Sequence, residues 1–190
     1  HGIRLPRHPR VRSALNPFGE EITMSDAMAA AMPHRKPPLF PKITRDLFAT
    51  AMLAGIAADL TWEFWARVIT PVLPGVGGPL EPAALVQSVF SLESRLLGEI
   101  IHLVVGFVFY PLGYLFIARP IAQAVVPSFP WWIVAAGFGV GLWVFALYVM
   151  AHLIAGLPAF LGFIPLTFAS LAGHIIFGLV VGLVVIIRKH

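Results

Sequence analysis

The chain has 190 residues, 58% of them hydrophobic and only 12% charged, with a formal net charge of +4 and no cysteine. Soluble domains carry about 25% charged residues and about 45–50% apolar ones, so this composition and a mean hydropathy of +0.87 exclude an ordinary soluble core and specify an integral membrane protein. The absence of cysteine excludes disulfides, iron–sulfur clusters, thiolate metal sites and cysteine nucleophiles.

Residues 1–45 differ from the rest. They are rich in Pro and Arg, hold no sustained apolar period, and predict a disordered basic arm. Gly19-Glu20-Glu21 can be encoded by a purine-rich stretch resembling a ribosome-binding site, a few codons before Met24. We therefore expect residues 1–23 to be upstream sequence that the native protein does not carry. A native N-terminal peptide mapping before Met24 would refute this.

The first span is predicted from about residue 47 to 70, long enough to cross a bilayer of about 30 Å at about 1.5 Å per residue. Asp59, Glu63 and Arg67 recur at i, i+4, i+8 and so share one stripe. Pro71–Pro82 reads as a turn-rich loop, and Ala83–Leu92 as a short interfacial helix. The second span is predicted over about 96–117. Arg95, Glu99, His102, Gly106, Phe109 and Gly113 form its polar or small face. Pro111 should kink this helix, and Arg119-Pro120 should end it. The third span, about 131–155, carries Gly137, Gly141, Phe145, Tyr148 and His152 on one stripe. The fourth, about 165–187, carries Thr167, Ser170, His174 and Gly178. The result is an all-α, four-span transmembrane helix bundle over residues 46–190.

With four spans both termini share a side. That side holds Arg4, Arg7, Arg10, Arg12, Arg35, Lys36, Lys42, Arg45, Arg119, Arg188 and Lys189, against Arg67 and Arg95 on the other. The positive-inside rule then puts both termini in the cytoplasm of a bacterial inner membrane. The basic residues are a topology signal. No basic stripe interleaved with stacking aromatics accompanies them, so no nucleic-acid partner is expected. A short internal repeat pairs His102-x-x-x-Gly106 with His174-x-x-x-Gly178 and Trp62-x-Phe64 with Trp143-x-Phe145, which suggests two tandem helical hairpins. Gly137/Gly141 and Gly178/Gly182 are small-xxx-small pairs that suit close helix approach, and through them a homodimer or larger membrane complex.

Depth along the spans converges. Asp59, Glu63, Arg67, Glu99, His102, His152 and His174 all fall in the half away from the termini, predicting one periplasm-side polar cluster. Three readings of it compete. In the first the groups only satisfy one another and glue helices at about 1 kcal/mol per bond. In the second His102 and His174 ligate a b-type haem from both sides, or a divalent metal is held among Glu63, Glu99, His102, His152 and His174. Glu99-x-x-His102 has the i, i+3 spacing of di-iron bundles, but only half of that motif is present. In the third, Asp59, Glu63 and the histidines relay protons or a small solute. Ser170 and His174 share a helix face, yet no G-x-S-x-G elbow accompanies them, so a serine hydrolase is not indicated.

Gly98, His102 and Gly106 in the second span, Trp143 in the third, and Gly173-His174-Ile175-Ile176-Phe177-Gly178 in the fourth give the chain a family look. It resembles a family of small bacterial four-helix membrane proteins without an assigned activity. The resemblance implies the same four-helix fold; Asp59, Glu63 and Glu99 lie outside its pattern. The expected role is a non-catalytic or accessory inner-membrane protein. The alternatives are a haem- or metal-binding redox subunit and a transporter.

Overall fold

A computed structural model describes Ala14–Leu15, Glu21–Ile22 and residues 39–190. In the N-terminal unit, β1 (Ala14–Leu15) and β2 (Glu21–Ile22) form a two-residue antiparallel pairing. The remainder of the predicted arm up to residue 38, and the expected start at Met24, lie outside the described residues.

Leu39–His190 is a separate unit and is all-helical. Four of its helices are long and apolar enough to cross a membrane: α1 (Arg45–Val72), α3 (Arg95–Val125), α4 (Trp131–Ile154) and α5 (Pro165–Ile187). The short α2 (Pro82–Phe90) lies between the first two. Thr44 caps α1 through its side-chain oxygen, which accepts from Leu47 N at 3.1 Å, and Pro165 opens α5. The core is built from small and polar side chains, among them Thr50, Ala51, Ala54, Ala58 and Ala135, while large apolar residues such as Phe48, Leu60, Ile117 and Ile187 point outward. That inversion suits a lipid solvent, in which small residues let backbones approach.

The second span is longer than expected. Arg119-Pro120 does not end it; α3 runs on to Val125. The helix absorbs its prolines by widening. Turns with i to i−5 hydrogen bonds occupy Val105–Phe109 and Tyr114–Ala118, and each stops two residues before a proline, Pro111 and Pro120. A similar turn at Trp65–Ile69 precedes Pro71. Proline lacks an N–H and its ring collides with the carbonyl four residues back. A widened turn moves that carbonyl aside.

The displaced carbonyl is used. Pro111 cannot donate to Phe107 O, and Phe107 O points at Gly55 on α1, where a Cβ would collide with it. One turn along, a Cβ on Gly106 would collide with Asp59 Oδ1. These two contacts seat α3 on α1. On the other side, α4 crosses α5 where Gly139 meets His174 O and Gly178 meets Ala135 O, again with no room for a Cβ. Gly173 clears space for two indoles of α1: a Cβ there would lie 2.7 Å from Trp62 and 2.8 Å from Trp65. Trp65 Nε1 donates to Ala169 O of α5 at 2.9 Å. At the end near the termini, Arg188 donates to Asp46 Oδ1 at 2.5 Å and to Thr50 Oγ1 at 3.3 Å, tying α5 to the start of α1.

The glycine pairs therefore do not serve one common interface. Gly178 and Gly182 are spent inside the chain against α4, where a Cβ on Gly182 would lie 2.6 Å from Ala135 Cβ. Gly137 and Gly141 face open space. The α4 residues that match α5 are Gly139 and Ala135, two positions off the predicted stripe. Gly178→Leu should accordingly cost about 1–3 kcal/mol or more of stability through overpacking. Gly137→Leu and Gly141→Leu should leave the thermal midpoint in detergent nearly unchanged.

Candidate functional site

The helices form an incomplete ring. α5 packs along both α4 and α1, and α1 packs on α3. α3 and α4 meet only near the termini, where Tyr114 sits edge-on to Phe138 with ring centroids 5.4 Å apart. Toward the other end they part, and α2 bridges the gap. A cavity of about 870 Å³ fills the space beneath α2, in the size range of small-molecule sites, roughly 300–1,000 Å³. Its walls are almost wholly apolar. Phe90, Phe109 and Phe145 border it and are 54%, 61% and 44% exposed, so the cavity opens sideways between α3 and α4.

The floor is polar. Asp59 and Trp62 from α1, His102 from α3, and Ser170 and His174 from α5 line it. Asp59 is 2% exposed and Trp62 5%, yet Asp59 Oδ1 and Trp62 Nε1 have no hydrogen-bond partner. His102 Nε2 and Glu63 Oε1 are also unpartnered; they stand 3.7 Å apart, beyond a hydrogen bond. An unmet buried polar atom costs about 1–3 kcal/mol, and four of them gathered at one place is unusual for a satisfied core.

His174 is differently placed. Its Nδ1 lies 2.8 Å from Ser170 O, one turn earlier. A carbonyl only accepts, so Nδ1 carries the proton and Nε2 keeps a free lone pair in the neutral ring. The Trp62 indole holds the imidazole edge-on, with centroids 4.5 Å apart, and stands 6.4 Å from the His102 ring.

Above the floor an ion network joins α1 to α3. Arg67 donates from Nε to Glu63 and from Nη2 to Glu99. The predicted stripes thus meet as a ladder: Arg67 with Glu99, Glu63 beside His102, Asp59 against Gly106. Arg95 pairs with Glu81 at 3.3 Å by the loop before α2. Because the Arg67 side chain is half exposed, Arg67→Gln should cost only about 1 kcal/mol or less. That loss should shrink further in about 0.5 M salt, where screening acts within a few ångströms. Chemical denaturation in detergent at two salt concentrations measures both effects.

Six of the seven predicted cluster residues come together in this way. His152 does not. It sits at the end of α4, its Nδ1 2.8 Å from Leu157 O and its ring beside Tyr148, and it does not border the cavity. Its stripe turns away because α4 widens over Phe145–Ile154. Sequence reasoning missed Trp62 as a member of the floor. The signal was the pairing of an intramembrane indole with Gly173, a residue small enough to admit it.

Among the described residues, no three His, Asp or Glu side chains gather in a metal-binding group. On the side of the termini the cavity is backed by buried Ala51, Ala54, Leu115, Val181 and Val185, and among the described buried residues of that half no Asp, Glu, His, Lys or Arg continues a proton path. No family model matches the chain, and neither a curated protein nor a solved structure matches it.

The turn that closes the far side is strained. Phe160, Leu161 and Phe163 adopt left-handed backbone, φ 49°, 53° and 57°, which costs a side-chain-bearing residue about 1–2 kcal/mol. Phe160 is held by stacking on Trp143 at 4.7 Å, and its carbonyl accepts from Thr167 Oγ1 at 2.7 Å. The strained turn places Leu161 on the cavity wall.

Proposed function

We propose that this chain is a non-catalytic bacterial inner-membrane protein that binds a lipophilic molecule taken up sideways from the bilayer. The single observation that carries the reading is the pairing of an apolar, laterally open cavity of about 870 Å³ with unpartnered buried polar atoms at its floor. A ligand with a greasy body and a hydrogen-bonding head supplies what both parts lack: apolar contact along the walls and a polar partner at Asp59. Basic residues favour cytoplasmic termini, so the cavity lies in the periplasmic half and the ligand comes from the outer leaflet.

The test is occupancy. Ala146 lines the wall on α4, and Ala146→Trp fills the cavity. Native mass spectrometry of the wild-type chain released from mild detergent should show a retained small hydrophobic adduct that Ala146→Trp lacks. Identical adduct patterns in the two proteins would contradict the reading. A visible spectrum of the same sample decides the haem alternative: a Soret band lost in His102→Ala and in His174→Ala would establish it.

A further inference from the structure

Hydrogen-bond arithmetic at the cavity floor is lopsided. Of the residues that line it, Asp59 brings an unpartnered carboxylate oxygen, Oδ1, and Nε2 of His174 adds a lone pair; Glu63 Oε1, also unpartnered, stands 3.7 Å from His102 Nε2 outside the lining. Among the described residues, the one buried unpartnered group confined to donating is Trp62 Nε1. Charge leans the same way. The titratable groups that line the cavity are Asp59 on α1, Glu81 before α2, His102 and Tyr110 on α3, and His174 on α5, and α4 brings none; Arg67, Arg95 and Glu99 line a separate, smaller pocket with Glu81. Arg67 is shared between Glu63 and Glu99, and Arg95 is taken by Glu81. Asp59, the deepest acid, has no cation.

We propose that the ligand is a lipophilic amine: an alkyl- or aryl-ammonium that carries at least one N–H. The ammonium donates to Asp59 and lies beside the Trp62 indole, while its apolar body fills the space bordered by Phe109, Phe145 and Phe177. Three physical terms favour it. A buried carboxylate without a partner is costly, and a bound cation removes that cost. An aromatic ring attracts a desolvated cation through its quadrupole. An N–H donor satisfies acceptors that a carbonyl or ether head would leave empty. The inference rests on the lateral-pocket reading above and adds the chemical class.

The experiment compares three ligands with the same twelve-carbon chain. Dodecylamine, dodecanol and dodecyltrimethylammonium are titrated into the full chain in phosphatidylcholine nanodiscs at pH 7, with empty discs subtracted. Wild type should bind dodecylamine at least about tenfold tighter than dodecanol, and tighter than dodecyltrimethylammonium, which has the charge but no N–H. Asp59→Asn should abolish the preference for the amine while leaving dodecanol binding in place. Equal binding of amine and alcohol by wild type overturns the proposal. So does an amine preference that survives Asp59→Asn. In either case the pocket reading stands if Ala146→Trp still removes binding of both. If wild type binds none of the three, both readings fail together. Should Asp59→Asn not fold, the wild-type comparison alone decides.

Discussion

Asp59→Asn is expected to raise the thermal unfolding midpoint in ligand-free detergent. Asp59 is almost fully buried, against Gly106, and its Oδ1 has no partner. Such a group subtracts stability from the empty protein. Asparagine keeps the shape and removes the charge. The expected gain is about 1–3 kcal/mol, the excess cost of burying an uncompensated charge over burying a neutral amide of the same shape. Stability gained at a binding site commonly costs function, and the same substitution should weaken ligand capture. A fall in the midpoint of similar size would mean that Asp59 already has a structural partner. It would then be one more interhelical hydrogen bond, and the account of the floor would be wrong.

The second large effect is expected at Gly55. A side chain there would meet the carbonyl of Phe107, a backbone atom that cannot rotate away. Gly55→Leu should therefore separate α1 from α3. The loss is expected to exceed the roughly 1–3 kcal/mol typical of overpacking, and little monodisperse protein should survive size-exclusion chromatography. Gly137→Leu, the same change at an open position, is the control. Pro111→Ala tests the cause. It restores an N–H for Phe107 O, removes the reason for the widened turn, and should shift Gly106 and His102 relative to Asp59. If Gly55→Leu folds as well as Gly137→Leu, the crossing of α1 and α3 is looser than described.

The sequence makes much of this legible. Mean hydropathy and the long apolar runs locate all four spanning helices, and the short α2 falls within two residues of its predicted bounds. The i, i+4, i+8 stripe of Asp59, Glu63 and Arg67 does meet the stripe of Glu99, His102 and Gly106. A straight α-helix keeps such residues on one face.

Other features depend on breaks from ideal geometry, which periodicity cannot report. The face of His152 is lost because α4 widens. The extension of α3 is hidden because a proline can either end a helix or open its turn, and Pro120 does the second. The matching glycine on α4 is Gly139 rather than Gly137 or Gly141, a difference of rotation about the helix axis that depends on its partner. The cavity is hardest of all. It arises from the splay of α3 away from α4, a tertiary angle set by Tyr114 and Phe138 at one end and α2 at the other. The short pairing of Ala14–Leu15 with Glu21–Ile22 has no signal in a stretch that reads as a disordered arm, and the rest of that arm up to residue 38, with the expected start at Met24, lies outside the described residues.

The most direct test asks whether the cavity opens to lipid. The chain has no cysteine, so Ala146→Cys offers a single attachment point for a nitroxide facing the cavity. Electron paramagnetic resonance in nanodiscs then compares collisions with oxygen, which dissolves in hydrocarbon, and with a water-soluble nickel chelate. The account predicts high oxygen access and low nickel access. High nickel access would mean a water-filled vestibule, and low access to both would mean a sealed core; either result contradicts a lateral lipophilic site.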